Sequence, residues 1–268
     1  MSIIDYHLVK TISENSSSIV SKAVNYDGNL VAIKKINKTD EYTLYSELMS
    51  MDRLKHKNIV TCETLFDDKE SIYMVFEFVS DFNLTTYNDI YRINLNESKI
   101  KFIIKQIADG LDYCHKKMIA HRDLKMENIC IIPETLEIKI IDFGLAYIFN
   151  DMSERFSSEC CGTYEYCAPE VLYTSVGVYK LSPEYNGPLR NLYEETYDTL
   201  SADIWSFGVI LYILVYDEFP FENPYDKLIL QKTNMLGFFG KNLIKRMLIK
   251  NPPKRITMKK ILRHLWLK

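Results

Sequence analysis

Little in this sequence pulls it toward a polyanion, a membrane or an oxidising compartment. Its 33 basic and 36 acidic side chains leave a formal charge of −3. There is thus no global attraction to nucleic acid or anionic lipid, and a polyanionic partner would need a local patch. The six cysteines, Cys62, Cys114, Cys130, Cys160, Cys161 and Cys167, sit mostly in apolar or aromatic stretches and form no C-x-x-C pair. That spacing argues against a structural zinc site and for reduced thiols in an intracellular protein of the cytoplasm or nucleus. Met1 to Lys10 has neither the basic n-region nor the apolar h-region of a secretion signal, so export is not expected. The longest apolar run, Ile204 to Tyr216, is interrupted by Ser206 and falls short of the roughly 20 residues that span a bilayer. It is expected to be a buried helix. Internal repeats and low-complexity tracts are also missing, while a hydrophobic content of 47% excludes a disordered or fibrous chain.

What is present divides into two patterns. Between Tyr6 and Val79, β-branched and aromatic runs recur at Leu8 to Ile12, Ile19 to Asn25, Leu30 to Ile36, Ile59 to Phe66 and Ile72 to Phe78, which predicts a five-stranded sheet. Tyr26-Asp27-Gly28-Asn29 supplies hairpin chemistry between the second and third runs, because Asp-Gly tolerates positive φ. One helix is expected over Asp40 to Leu54, where Leu44, Leu48, Met51 and Leu54 recur at helical spacing. Beyond Asp81 the periodic segments lengthen, at Glu97 to Lys116, Leu200 to Val215, Gly240 to Leu248 and Thr257 to Leu265. The expectation is an α+β, bilobal chain. A small β-rich lobe covers about 1–79, a connection about 77–82 and a larger, mainly helical lobe about 83–268, within one domain of 1–268.

The chemistry-bearing residues fall in a fixed order: Val31-Ala32-Ile33-Lys34, Glu47, His121-Arg122-Asp123-Leu124-Lys125-Met126-Glu127-Asn128, Asp142-Phe143-Gly144 and Ala168-Pro169-Glu170. Any one of these could be a surface lysine or a turn, but together, in this order and spacing, they resemble the eukaryotic protein kinase signature set. The resemblance implies the bilobal kinase fold and transfer of the γ-phosphoryl group of ATP, with Mg²⁺, to a protein hydroxyl. Phosphoryl transfer needs positioning and charge neutralisation, hence cations for the phosphates and hard oxygens for the metal.

Carried over residue by residue, the resemblance makes Lys34 the phosphate-binding lysine and Glu47 its partner. Glu41 lies on the same helix, but Glu47 has the family's spacing to Leu54-Lys55-His56-Lys57-Asn58-Ile59-Val60. Asp142 and Asn128 match the magnesium ligands. Asp123 matches the residue that accepts the substrate proton, and Lys125 the lysine that steadies the γ-phosphate in serine/threonine kinases. Thr163 is expected to touch Asp123 and Lys125. Backbone groups of Glu77 and Val79 match the adenine contacts, with Val20, Ala32 and Cys130 lining the slot. His121, Phe143, the pair Glu170 and Arg255, and Asp203 match structural positions.

Two departures matter. The glycine-rich loop falls at Ile12, Ser13, Glu14, Asn15, Ser16, Ser17, Ser18, Ile19 and Val20, with Ser13, Asn15 and Ser18 at all three glycine positions. Loss of glycine removes positive φ and close backbone approach to phosphate, so weaker nucleotide binding is expected. A catalytically poor binding or scaffold protein is therefore the alternative to an active enzyme. In the activation segment, Asp142 to Glu170, Glu159 stands where many relatives carry a phosphorylated threonine. It is either a fixed partner for Arg122 or a solvated glutamate, with Ser157 and Ser158 as alternative phosphorylation sites. The stretch from Tyr173 to Thr199 is longer than the family's usual connection and carries Pro183, Gly187 and Pro188, which predicts a surface loop.

Within the family, Cys161-Gly162-Thr163 and the closing Ile261 to Trp266 resemble the calcium/calmodulin-dependent and AMP-activated group. Tyr147 to Asn150 and Glu154-Arg155 add a likeness to checkpoint kinase 1. Glu127 matches an acidic residue that selects upstream basic residues in protein substrates, while Asn83 stands where a second acid is common. A monomer acting on Ser/Thr acceptors, without nucleic acid or membrane, is the expected mode.

Overall fold

The structure is a computed structural model that describes residues 2–15, 18–174, 196–222, 226, 228, 230 and 235–268. β1 (His7–Glu14), β2 (Ser18–Val24), β3 (Leu30–Asn37), β4 (Cys62–Asp67) and β5 (Ser71–Glu77) form an antiparallel sheet of order β1-β2-β3-β5-β4. The β2–β3 hairpin turns where the sequence predicts it. Gly28 adopts a φ of 81°, and Asn25 Oδ1 accepts from the N–H groups of Asp27 at 3.0 Å and Asn29 at 2.9 Å.

α1 (Glu41–Arg53) starts at Asp40, whose carboxylate accepts from Thr43 N–H at 3.1 Å. Its Leu44, Leu48 and Met51 pack on Ile36, Val60, Met74 and Phe76. That apolar contact places the helix against one face of the sheet and sets the direction in which Glu47 points.

One expected strand begins later than its apolar run. Ile59 and Val60 stand outside β4 and join the large lobe instead. Val60 N–H donates to Ile140 O at 3.0 Å, and Ile140 N–H donates to Asn58 O at 2.9 Å. A short apolar run carries no record of which strand it will pair with; here it ties the lobes together.

The large lobe is built on α2 (Leu84–Tyr91), α3 (Glu97–Lys116), α4 (Pro169–Thr174), α5 (Thr199–Tyr216), α6 (Phe238–Met247) and α7 (Met258–Ile261). Short pairs lie between them: β6 (Ile119–Ala120) with β9 (Tyr147–Ile148), β7 (Ile129–Ile131) with β8 (Ile138–Ile140), and β10 (Phe156–Ser157) with β11 (Tyr197–Asp198). α5 is the 18-residue apolar helix, buried along most of its length in the core of this lobe, as a helix apolar on nearly every side requires. Gly208 allows α6 to lie against it, since a Cβ there would sit 2.8 Å from Met247 Cβ.

The expected helix over Thr257 to Leu265 is shorter. It ends at Ile261, and the chain turns back so that Trp266 Nε1 donates to Glu97 Oε1 at 2.8 Å. Apart from its two ends, the expected surface loop from Tyr173 to Thr199 lies outside the described residues.

Candidate active site

Lys34 sits mid-strand in β3, where its β-branched neighbours anchor the backbone and leave the long side chain to cross the cleft. Its Nζ donates to Glu47 Oε2 at 2.6 Å and to Asp142 Oδ1 at 2.7 Å. Glu47, 1% exposed, comes from α1 of the small lobe, and Asp142 from the segment after β8 of the large lobe. Glu41 stands in the first turn of α1, exposed. Burial alone would lower the Lys34 pKa, yet Glu47 and Asp142 outweigh it and hold the ammonium above its ordinary range. Burial likewise opposes the charged form of Asp142, and the Lys34 ammonium overrides it and keeps the carboxylate below its usual value.

Asp142 takes a φ of 64°. The following Phe143 is fully buried against His121, with ring centroids 4.9 Å apart. This packing turns the Asp142 carboxylate into the cleft.

The catalytic loop, between β6 and β7, hangs from one buried carboxylate. Asp203 of α5 accepts from His121 N–H at 2.9 Å, Arg122 N–H at 2.8 Å and His115 Nε2 at 2.8 Å. Below it Asp123, Lys125, Asn128 and Thr163 converge. Asp123 Oδ1 accepts from Thr163 N–H at 2.9 Å and Thr163 Oγ1 at 2.7 Å. Lys125 Nζ donates to Thr163 Oγ1 at 2.8 Å and pairs with Asp123 Oδ2 at 3.0 Å. Asn128 Nδ2 donates to Asp123 O at 2.9 Å. Gly162 makes this close approach: its φ is 99°, and a Cβ would lie 2.5 Å from Arg122 O.

Asn128 spends its amide nitrogen on Asp123, and Asp142 spends Oδ1 on Lys34 and Gly144 N–H. Asn128 Oδ1 and Asp142 Oδ2 remain as hard oxygen donors on one side of the cleft. That donor set fits Mg²⁺, which takes one or two protein oxygens plus phosphate and water.

Val20, Ala32, Val79 and Cys130 are half-buried and Ile12 is exposed. Ala32 and Val79 adjoin the apolar cluster of Met74 and Phe76. Burial pushes the Cys130 thiol up to about 11. The Glu77 carboxylate accepts from Thr61 N–H at 2.8 Å and pairs with Lys139 at 2.8 Å, and the Glu77 N–H donates to Thr61 O at 3.1 Å.

In the phosphate loop, Ser16 and Ser17 lie outside the described residues. Ser13, Glu14 and Ile19 are strand residues of β1 and β2, and Ser13, Asn15 and Ser18 all keep negative φ. Asn15 closes the hairpin: its N–H donates to Ser18 O at 3.0 Å, and its Oδ1 accepts from Ser18 N–H at 2.7 Å. The absent glycines therefore leave no strain at these three positions, because the backbone never enters the region that requires them.

Arg122 binds the activation segment. Its Nε donates to Leu145 O at 2.8 Å, Nη1 to Ser157 Oγ at 3.2 Å and Nη2 to Glu159 Oε2 at 3.0 Å, with a further bond to the Tyr42 hydroxyl of α1. Ser157 is buried and Ser158 exposed. Sequence reasoning missed Tyr42 and His115. No motif marks either, since each acts on a partner brought in by the fold. Asn83 has a structural role, capping α2 by accepting from Thr86 N–H at 2.9 Å.

Comparison with known proteins agrees with this geometry. The protein kinase domain model matches residues 6–267. The chain is 32% identical to SNF1-related protein kinase catalytic subunit alpha KIN12 of Arabidopsis thaliana, covering 98% of this chain and 51% of that protein. It is 30% identical to NUAK family SNF1-like kinase 1 of Homo sapiens, over 97% of this chain and 38% of that protein. It is 32% identical to CBL-interacting serine/threonine-protein kinase 17 of Arabidopsis thaliana, over 98% and 60% respectively. The chain thus spans about two fifths to three fifths of the length of these curated relatives. With its two lobes, its shared lysine and its braced catalytic loop, the chain belongs to the protein kinase family.

Proposed function

We propose that this protein is an active serine/threonine kinase that transfers the γ-phosphoryl group of ATP to hydroxyls of protein substrates. The observation that carries the reading is the contact of Lys34 with both Glu47 and Asp142. It aligns the small lobe, the cleft and the metal-binding carboxylate in one arrangement. A scaffold protein has no need to keep the Glu47 carboxylate and the Lys34 ammonium buried together, with a second carboxylate, Asp142, held at the cleft surface beside them.

The roles follow from the geometry. Asp142 and Asn128 would hold Mg²⁺, which when bound neutralises phosphate charge. Lys34 orients the α- and β-phosphates. Asp123, fixed on Thr163 and Asn128, accepts the proton of the incoming hydroxyl, and Lys125 places a cation beside the transferred group. Lys125, two residues after Asp123 and bonded to Thr163, supports Ser/Thr over Tyr acceptors. Exposed Glu127 supports a preference for basic residues upstream of the acceptor, weakened by Asn83, whose side chain is committed to its helix cap. The free thiols support an intracellular setting, and the balanced overall charge supports a monomer that ignores nucleic acid and membranes.

Substitution Asp123→Asn separates the enzyme from the scaffold reading. The variant is expected to bind nucleotide like the unaltered chain while phosphate incorporation into serine and threonine of a peptide library falls by about 10²–10⁴-fold. Equal, negligible incorporation by both proteins would leave the scaffold.

A further inference from the structure

Near-neutral total charge conceals a segregation. From Lys227 to Lys268 the chain has nine lysines and three arginines and no aspartate or glutamate, out of 33 basic and 36 acidic residues in all, so the first 226 residues carry −15 and the last 42 carry +12. Part of that charge is consumed inside the fold, as Arg255 is buried on Glu170 at 2.5 Å. Four of the remaining basic residues line one groove.

Arg246 of α6, Lys259 and Lys260 of α7, and Arg263 beyond it surround a groove of about 620 Å³. Among the described residues none of these four side chains makes an ion pair. Cations elsewhere do: Lys10 and Lys22 on Asp81, Lys38 on Asp67, Lys139 on Glu77 and Arg155 on Asp198. Phe238, Phe239 and Leu265 line the same groove at 78%, 46% and 57% exposure. Beneath it His264 bonds Asn242 at 3.1 Å, and burial together with the Arg246 charge lowers its pKa. None of the cleft residues lines this groove.

Exposed aromatics ringed by cations that make no ion pair among the described residues mark an interaction surface. Carboxylates would answer the four charges, and a large apolar side chain would cover the rings. The site is concave. A lipid surface would be better met by apolar side chains projecting from a flat face, whereas a groove receives a single chain. We propose that the groove between α6 and the turn after α7 docks an acidic segment of a partner protein that carries at least one large apolar side chain.

A short fluorescein-labelled peptide of glutamate and aspartate with two leucines and a phenylalanine serves as probe, read by anisotropy with the full chain and no nucleotide. Saturable binding is expected, weakening with salt. It should fall about tenfold or more in the double variant Lys259→Glu, Arg263→Glu and less in Phe238→Ala. Thermal midpoints matching the unaltered chain would show that these surface variants remain folded. Equal affinity of the charge-reversed protein would overturn the proposal, as would binding to phosphatidylserine vesicles with none to the peptide. Because no phosphate transfer is read, the result stands apart from the proposed catalytic activity.

Discussion

At Lys34 one ammonium serves two carboxylates that arrive from different lobes, and the cleft is poised only while both contacts hold. Arg122 does for the activation segment what Lys34 does for the cleft. Its guanidinium gathers Leu145, Ser157, Glu159 and Tyr42, so a permanent carboxylate is bonded to it from the activation segment. Glu159→Ala in protein made without upstream kinases should therefore reduce activity about tenfold or more, measured as initial rate on a peptide substrate; an unchanged rate would make Glu159 a solvated glutamate. Polar side chains in fixed motifs, such as Asp123, Asn128 and Asp142, were legible because their chemistry is local to the motif. Tyr42 and His115 were not. The partner of His115, Asp203, is 88 residues away, and nothing in a helical His announces it.

Among the elements, the clearest dependence is that of α4 on the turn before α7. Arg255 forks onto Glu170 with bonds of 2.5 and 2.9 Å, both side chains buried, and also donates to Ser201 O at 2.7 Å. Truncating one partner strands a desolvated charge, so Arg255→Ala should cost about 3–5 kcal/mol in chemical denaturation. Replacing both residues with apolar ones of similar size should cost much less, and a single variant as stable as the unaltered chain would contradict the buried pair. Helices with long periodic faces, α3 and α5, were readable nearly to the residue, since each carries its own N-cap in Asn96 and Asp198. Ile59-Val60 and the end of α7 were misread for the same reason: tertiary partners, Ile140 in one case and Glu97 in the other, decided where the element stopped.

Over the whole molecule, the two-lobe division was visible as a change of hydrophobic period from two to 3.6, and the site lies where the two patterns meet. The segregation of charge is a property of the same scale. It separates an acidic body that houses the cleft from a basic end that houses the groove, and a composition total cannot show it. The altered phosphate loop is the feature that set an enzyme against a scaffold, and the relaxed φ angles of Ser13, Asn15 and Ser18 place the weight on the charged centre. Calorimetric titration with ATP, with and without magnesium, on the unaltered chain and on Asp142→Asn tests that centre most directly. Magnesium should tighten binding to the unaltered chain and have no such effect on the variant, whose phosphate transfer should be about 10²–10³-fold lower or worse. The same magnesium dependence in both proteins, or no nucleotide binding by either, would contradict the account.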